Sequence, residues 1–253
     1  MADAILETDG LTKEFRGFLA VSDVTLRVER GSIHGLIGPN GAGKTTCFNL
    51  LTKFLQPSRG TIRYDGRDIT RMKPADVARL GLVRSFQISA VFAHLSVLEN
   101  VRIALQRARG ASFDFWRSDR VLRSFDDRAR ELLADVGLTE FEGEAAGSLP
   151  YGRKRALEIA TTLALEPQMM LLDEPTAGMT HEDVDRIIAL VRRVAAGRTV
   201  LLVEHNMKVV AGLCDRITVL ARGQVLAEGD YASVARDPAV IEAYMGSEAP
   251  AHA

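Results

Sequence analysis

The chain has 253 residues, 47% of them apolar and 26% charged, a composition that buries a sizeable core and excludes a disordered chain. Its formal net charge of −1 argues against nucleic acid as a partner, and two cysteines, Cys47 and Cys214, are too few for a disulfide framework or a cysteine metal cage. The start, Met1 to Glu7, lacks the basic and apolar regions of a signal peptide, and no run approaches the ~18 apolar residues of a membrane span, so action at a membrane is expected only through a partner.

The first thirty residues alternate apolar and polar, as in Val24-Thr25-Leu26-Arg27-Val28-Glu29, the pattern of half-buried antiparallel strands. Ile33-His34-Gly35-Leu36-Ile37 predicts a buried strand and Cys47-Phe48-Asn49-Leu50-Leu51 a helix, with a glycine-rich turn between them. Thr61-Ile62-Arg63-Tyr64 alternates again and ends at the turn pair Asp65-Gly66. From Lys73 to Glu142 the pattern becomes mostly helical, with Leu98, Val101, Ile103 and Leu105 on one side and Leu132, Leu133 and Val136 on another. That stretch reads as a lobe inserted into a core.

A further helix is expected from Lys154 to Leu165. Met169-Met170-Leu171-Leu172 and Val200-Leu201-Leu202-Val203 are continuous apolar runs, as expected of parallel strands buried on both faces. Between them Val184, Ile187, Ile188, Val191 and Val194 fall at helical spacing, opened by Thr180 with Asp183 three residues on, close to a capping box. Alternating strands and helices imply an α/β fold with a parallel sheet and right-handed crossovers.

The turn Gly38-Pro39-Asn40-Gly41-Ala42-Gly43-Lys44-Thr45-Thr46 reads G-x-x-x-x-G-K-T in a strand–turn–helix context. Its glycines let successive backbone N–H groups curl around phosphate oxygens, and the following helix adds the positive end of its dipole. Lys44 supplies a point charge for β- and γ-phosphates, and Thr45 a hydroxyl for Mg²⁺. The segment therefore implies a nucleoside triphosphate site. Leu171-Leu172-Asp173-Glu174 ends a buried strand with two carboxylates at the sheet's C-terminal edge, where ligands of open α/β sheets sit. Asp173 fits a Mg²⁺ ligand and Glu174 the group that polarises an attacking water.

These residues, with their order and spacing, resemble the ATP-binding-cassette ATPases over nearly the whole chain. Leu149-Pro150-Tyr151-Gly152-Arg153 stands where that family has its signature loop, so the resemblance implies nucleotide contacts from Tyr151, Gly152 and Arg153. Gln87 matches the glutamine loop that senses Mg²⁺ and the transmembrane partner, and His205 the switch histidine that contacts the γ-phosphate. Phe15 lies where the family stacks an aromatic on adenine, and Ala177-Gly178-Met179-Thr180 occupies the D-loop. Two positions depart from the pattern: Pro150 replaces the usual serine and cannot donate a hydrogen bond, and Arg153 replaces the usual glutamine. Cationic attraction from Arg153 is one way to replace the lost hydroxyl contact, and a solvent-facing Arg153 is the alternative.

Arg84-Ser85-Phe86-Gln87, Tyr151-Gly152, Leu157-Glu158-Ile159-Ala160, Glu204-His205-Asn206-Met207 and Ala243-Tyr244-Met245-Gly246 look like the ATPase subunits of branched-chain and hydrophobic amino acid importers. The resemblance implies an α/β P-loop NTPase core with a mixed sheet, an N-terminal antiparallel β subdomain and an inserted α-helical subdomain. Residues 1–72 plus 169–246 would form the nucleotide-binding core, about 73–168 the helical lobe, and 247–253 a tail. It implies ATP and Mg²⁺ as ligands, a head-to-tail ATPase dimer, and transmembrane permease subunits as partners. A periplasmic binding protein would act indirectly, and the chain would sit peripherally on the cytoplasmic face of the inner or plasma membrane.

Alternatives within the same chemistry are urea import and lipid export; an ATPase of DNA repair is disfavoured because the lobe lacks the long coiled coil of those proteins. The aromatic run Ser112-Phe113-Asp114-Phe115-Trp116 is expected to pack within the lobe rather than face a permease. His34, His94, His181 and His252 have no metal-ligand spacing and receive no role.

Overall fold

The computed structural model describes residues 3–85, 91–108 and 124–245. The expectations for Gln87, for the aromatic run at 112–116 and for Gly246 with the tail lie outside the described residues. The N-terminal alternation forms β1 (Ala4–Phe15), β2 (Phe18–Val24) and β3 (Arg27–Glu29). With β5 (Arg59–Tyr64) and β6 (Arg67–Asp68) they make a five-stranded antiparallel sheet in which β1 pairs β2, β3 and β5.

The second sheet has six strands. Its order is β11 (Gln224–Gly229), β10 (Arg216–Ala221), β4 (Ile33–Ile37), β9 (Thr199–Val203), β8 (Met169–Asp173) and β7 (Leu82–Arg84). All its pairings are parallel except β10 with β11. Strand β7 interrupts the stretch expected to be mostly helical, and its register, Leu82 opposite Met169 and Arg84 opposite Leu171, makes it the edge of the core sheet. Three residues are too short a run to register as a strand by periodicity.

Helix α1 (Lys44–Leu51) lies between the two sheets. Its Cys47, Phe48, Leu50 and Leu51 share one core with Leu36, Leu171, Leu201 and Val203 of the parallel sheet and with Ile5, Leu11, Val21 and Ile62 of the antiparallel one. The other face of the parallel sheet, through Met170, Leu172, Val200 and Leu202, packs on the helices. Adjacent residues of β8 and β9 thus enter opposite cores, which is the period of two acting on strands covered on both sides.

The helices after α2 (Pro74–Arg79) are α3 (Val97–Ala108), α4 (Asp126–Asp135), α5 (Tyr151–Leu163), α6 (His181–Val194), α7 (Met207–Leu213), α8 (Tyr231–Val234) and α9 (Pro238–Met245). In α3 the buried stripe is Val97, Leu98, Val101 and Leu105; Ile103 falls off this phase and stays partly exposed. Thr180 caps α6 as expected, its Oγ1 accepting from the Asp183 N–H at 3.3 Å. Helix α5 begins at Tyr151, three residues earlier than Lys154, so Tyr151, Gly152 and Arg153 form its first turn and Pro150 is its N-cap. Its φ of −56° lies in the range that the proline ring fixes, and its ψ of 157° keeps it outside the helix.

His34, given no role from sequence, is fully buried in β4, with Nε2 at 2.8 Å from Thr218 Oγ1. Burial pushes its ring down from 6.5 to about 4, with Arg216 adding to the shift and Glu228 opposing it. Above pH ~6.5 the ring is neutral whether the chain is folded or not, and stability is at its plateau. Between about 6.5 and 4 the unfolded chain takes up the proton and the folded chain does not, so stability falls as pH falls through this window. Urea denaturation at pH 7 and pH 5 of the parent and of His34→Gln tests this: the parent should lose about 2 kcal/mol more than the variant. Equal losses would show that His34 contributes nothing to acid sensitivity.

Candidate functional site

The phosphate loop is held in place by its backbone. A Cβ on Gly38, whose φ is +151°, would stand 2.1 Å from the Leu220 carbonyl oxygen, and one on Gly43, φ +96°, would stand 2.5 Å from that of Ala20. Only glycine fits at such approaches. The Gly223 N–H donates to Ala42 O at 3.0 Å and Ser22 N–H to Gly223 O at 2.8 Å, tying the loop to the β10–β11 turn and to β2. Asn40, Gly41 and Thr45 are exposed on this loop, Thr46 is half-buried and Ala42 is buried.

Lys44 is buried, and its Nζ donates to Gly38 O at 2.7 Å and to Pro39 O at 3.0 Å. Burial lowers its ammonium from the ordinary value, while Glu174 and Asp173 act to raise it. The carboxylate pair therefore lies within electrostatic reach of the loop, as strands β4 and β8 flank β9 and end on the same sheet edge. Thr45 Oγ1 and the Asp173 carboxylate are hard oxygen donors beside a phosphate cradle. No group of three or more His, Cys, Asp or Glu able to hold a metal occurs among the described residues. One hydroxyl and one carboxylate, with phosphate oxygens completing the shell, fit Mg²⁺, which keeps few protein ligands.

Asp173 Oδ2 accepts from Arg84 Nη2 at 2.7 Å, and the Asp173 carbonyl accepts from Arg155 Nη2 at 2.9 Å. Glu174 follows at φ 42°, a left-handed conformation costly for a non-glycine residue, with its N–H donating to Val203 O at 2.9 Å. Its Oε1 lies 3.7 Å from His205 Nδ1, beyond hydrogen-bond distance, and both side chains are exposed. Fully buried Glu204 positions this corner: Oε1 accepts from Thr176 N and Oγ1, and Oε2 from the N–H groups of His205 and Asn206. Arg84 and Glu204 entered the sequence reading only within importer-like tracts and Arg155 not at all, and none was assigned a role, because their partners lie far along the chain.

Phe15 ends β1 opposite Phe18 of β2, 43% exposed with Lys13 Nζ 5.1 Å from its ring centroid. Phe18, 69% exposed, is a second aromatic on the same hairpin end, near Ala20 and the loop. The signature residues lie elsewhere. Tyr151 is exposed, Gly152 packs against the Asp183 carboxylate, and the Arg153 guanidinium sits 3.8 Å from the Phe141 ring centroid. Thus Lys44, Thr45, Asp173, Glu174 and His205 are gathered at one sheet edge, and Tyr151, Gly152 and Arg153 form a separate surface. No described helix is long and apolar enough to cross a membrane.

Residues 21–177 match the family described as "ABC transporter", and residues 224–250 match "Branched-chain amino acid ATP-binding cassette transporter". The chain is 41% identical to the high-affinity branched-chain amino acid transport ATP-binding protein BraF of Pseudomonas aeruginosa, covering 97% of this chain and 99% of that protein. It is 38% identical to the corresponding protein LivG of Escherichia coli, with the same coverage. The fold matches a crystal structure of an ATP-binding cassette of an ABC transporter in its ADP conformation, with a TM-score of 0.85, 29% identity, and coverage of 97% and 100% of the two chains. By loop, sheet edge and relatives alike, this chain belongs to the ABC transporter family, as an ATP-binding and ATP-hydrolysing cassette.

Proposed function

We propose that this chain drives an importer of branched-chain or other hydrophobic amino acids from the cytoplasmic side of the membrane, paired with a second cassette and bound to transmembrane permeases. The observation that carries the ATPase chemistry is the buried Lys44 ammonium, fixed on its own loop within electrostatic reach of Asp173 and Glu174. The match of residues 224–250, with the names of BraF and LivG, supports the amino acid substrate. In this reading the binding protein acts through the permeases, and the core of 1–72 plus 169–246, joined by β7 at its sheet edge, carries a lobe formed by the rest of about 73–168.

Phosphoryl transfer to water depends mainly on positioning and electrostatics. Lys44 and the N–H groups from Asn40 to Thr46 hold the phosphates, and Phe15 stacks on adenine. Thr45 and Asp173 would hold Mg²⁺, which would supply positive charge to offset that of the phosphates. Glu174 accepts a proton from the water that attacks the γ-phosphorus, the bond to the β–γ bridging oxygen breaks, and ADP and phosphate leave. His205, placed by Glu204, contacts the γ-phosphate, and Gln87 senses the ion and the permease. Tyr151, Gly152 and Arg153 face the nucleotide of the partner subunit.

Glu174→Gln should bind ATP but hydrolyse it about 10²–10⁴ more slowly, and sediment as a dimer with Mg-ATP and a monomer without it. Hydrolysis at the parental rate would remove Glu174 from the role of base. In vesicles containing the copurified permeases, ATP consumption should rise with leucine and its binding protein; a response to urea, or extraction of lipid, would reassign the substrate.

A further inference from the structure

Arg84 bridges the two elements that would share the metal ion. It stands at the end of β7 opposite Leu171, so Asp173, two residues further along β8, projects on the same face of the sheet. Its Nη2 donates to Asp173 Oδ2 at 2.7 Å and its Nη1 to Asn49 Oδ1 at 2.6 Å. Asn49 lies four residues after Thr45 on α1 and therefore on the same helix face. The guanidinium rests 4.9 Å from the Phe48 ring centroid and 5.7 Å from that of Phe54, and both ion-pair partners are largely buried, at 16% and 11% side-chain exposure.

We propose that Arg84 is the positioning residue for Asp173, a fixed internal cation that holds the carboxylate before nucleotide arrives and raises the Mg²⁺ concentration the site requires. This rests on the assignment of Asp173 as a ligand of the ion. Lys44 donates to the carbonyls of Gly38 and Pro39, so Arg84 is the side chain that hydrogen-bonds the Asp173 carboxylate among the described residues. A largely buried carboxylate left without that partner would be strongly destabilising. A guanidinium does not deprotonate, so its charge stays when a divalent cation approaches, and at this burial solvent screens it weakly. The ion is attracted to Asp173 and repelled by the arginine that holds Asp173 in place.

The test is a Mg²⁺ titration of the binding of a fluorescent ATP analogue, read by anisotropy in the Glu174→Gln background so that hydrolysis does not enter. Arg84→Met, which keeps the stem over Phe48 and loses the charge, should lower the half-saturating Mg²⁺ concentration by about three- to tenfold. Arg84→Lys, which keeps the charge, should stay within about twofold of the parent. An unchanged or higher requirement in Arg84→Met would overturn the proposal. If that protein does not fold, Arg84→Gln, neutral yet able to donate to Asp173, is read by the same rule. Asp173→Asn separates the two assignments: with no change in its Mg²⁺ dependence, Asp173 is not a ligand and both fail. A change there with none in Arg84→Met removes only the role of Arg84.

Discussion

The close approach of the phosphate loop to two strands governs much of this molecule. Gly38 meets the Leu220 carbonyl at the end of β10 and Gly43 meets the Ala20 carbonyl in β2, so the loop is pinned between the parallel and the antiparallel sheet. Helix α1 leaves the loop directly into the core shared by both sheets, which is why Cys47, Phe48, Leu50 and Leu51 are all fully buried. The loop's shape is therefore set by tertiary packing rather than by the local chain. Lys44 completes it by donating back to Gly38 and Pro39, which keeps an otherwise costly buried ammonium hydrogen-bonded.

Around this fixed loop, buried charges connect elements distant in sequence. Arg155 forms an ion pair with Glu158 at 2.6 Å inside α5 and reaches the Asp173 carbonyl at the end of β8. Burial raises the Glu158 carboxyl while Arg155 acts to lower it. A buried pair of this kind is weak as net stabilisation but strict about geometry, because removing one member strands the other. Glu204 plays the same part between Thr176 and the His205–Asn206 backbone. Arg155 and Glu204 thereby tie α5 and the Thr176 turn to the ends of β8 and β9.

The sequence was informative where a residue's role follows from its local surroundings. The glycine loop, the parallel strands at 169–173 and 199–203, the Thr180 cap and the carboxylate pair were all legible, because periodicity, turn chemistry or motif spacing marks each one. Strand β7 was not, since three residues at a sheet edge carry too little pattern, and Tyr151 to Arg153 were placed in a loop by the family resemblance although they form the first turn of α5. Arg84, Arg155, Glu204 and His34 were opaque for a different reason. Their partners lie 89, 18, 28 and 184 positions away, and only the folded chain brings them together.

The signature surface shows how unevenly the two faces of the cassette are built. Pro150 offers neither an N–H nor a side-chain cap and no acidic residue occupies the first turn of α5, but the Asp183 carboxylate of α6 lies against Gly152 in that turn. Arg153, which could add charge there, is stacked on Phe141. Cation–π contacts at partly exposed sites are worth about 0.5–1 kcal/mol. A contact of that size holds the Arg153 guanidinium only weakly. On the Lys44 face, Lys44 and Asp173 are held by hydrogen bonds within the chain, while Glu174 and His205 stay exposed. The phosphate loop is thus preorganised by packing, while Arg153 at the start of α5 rests on an exposed cation–π contact.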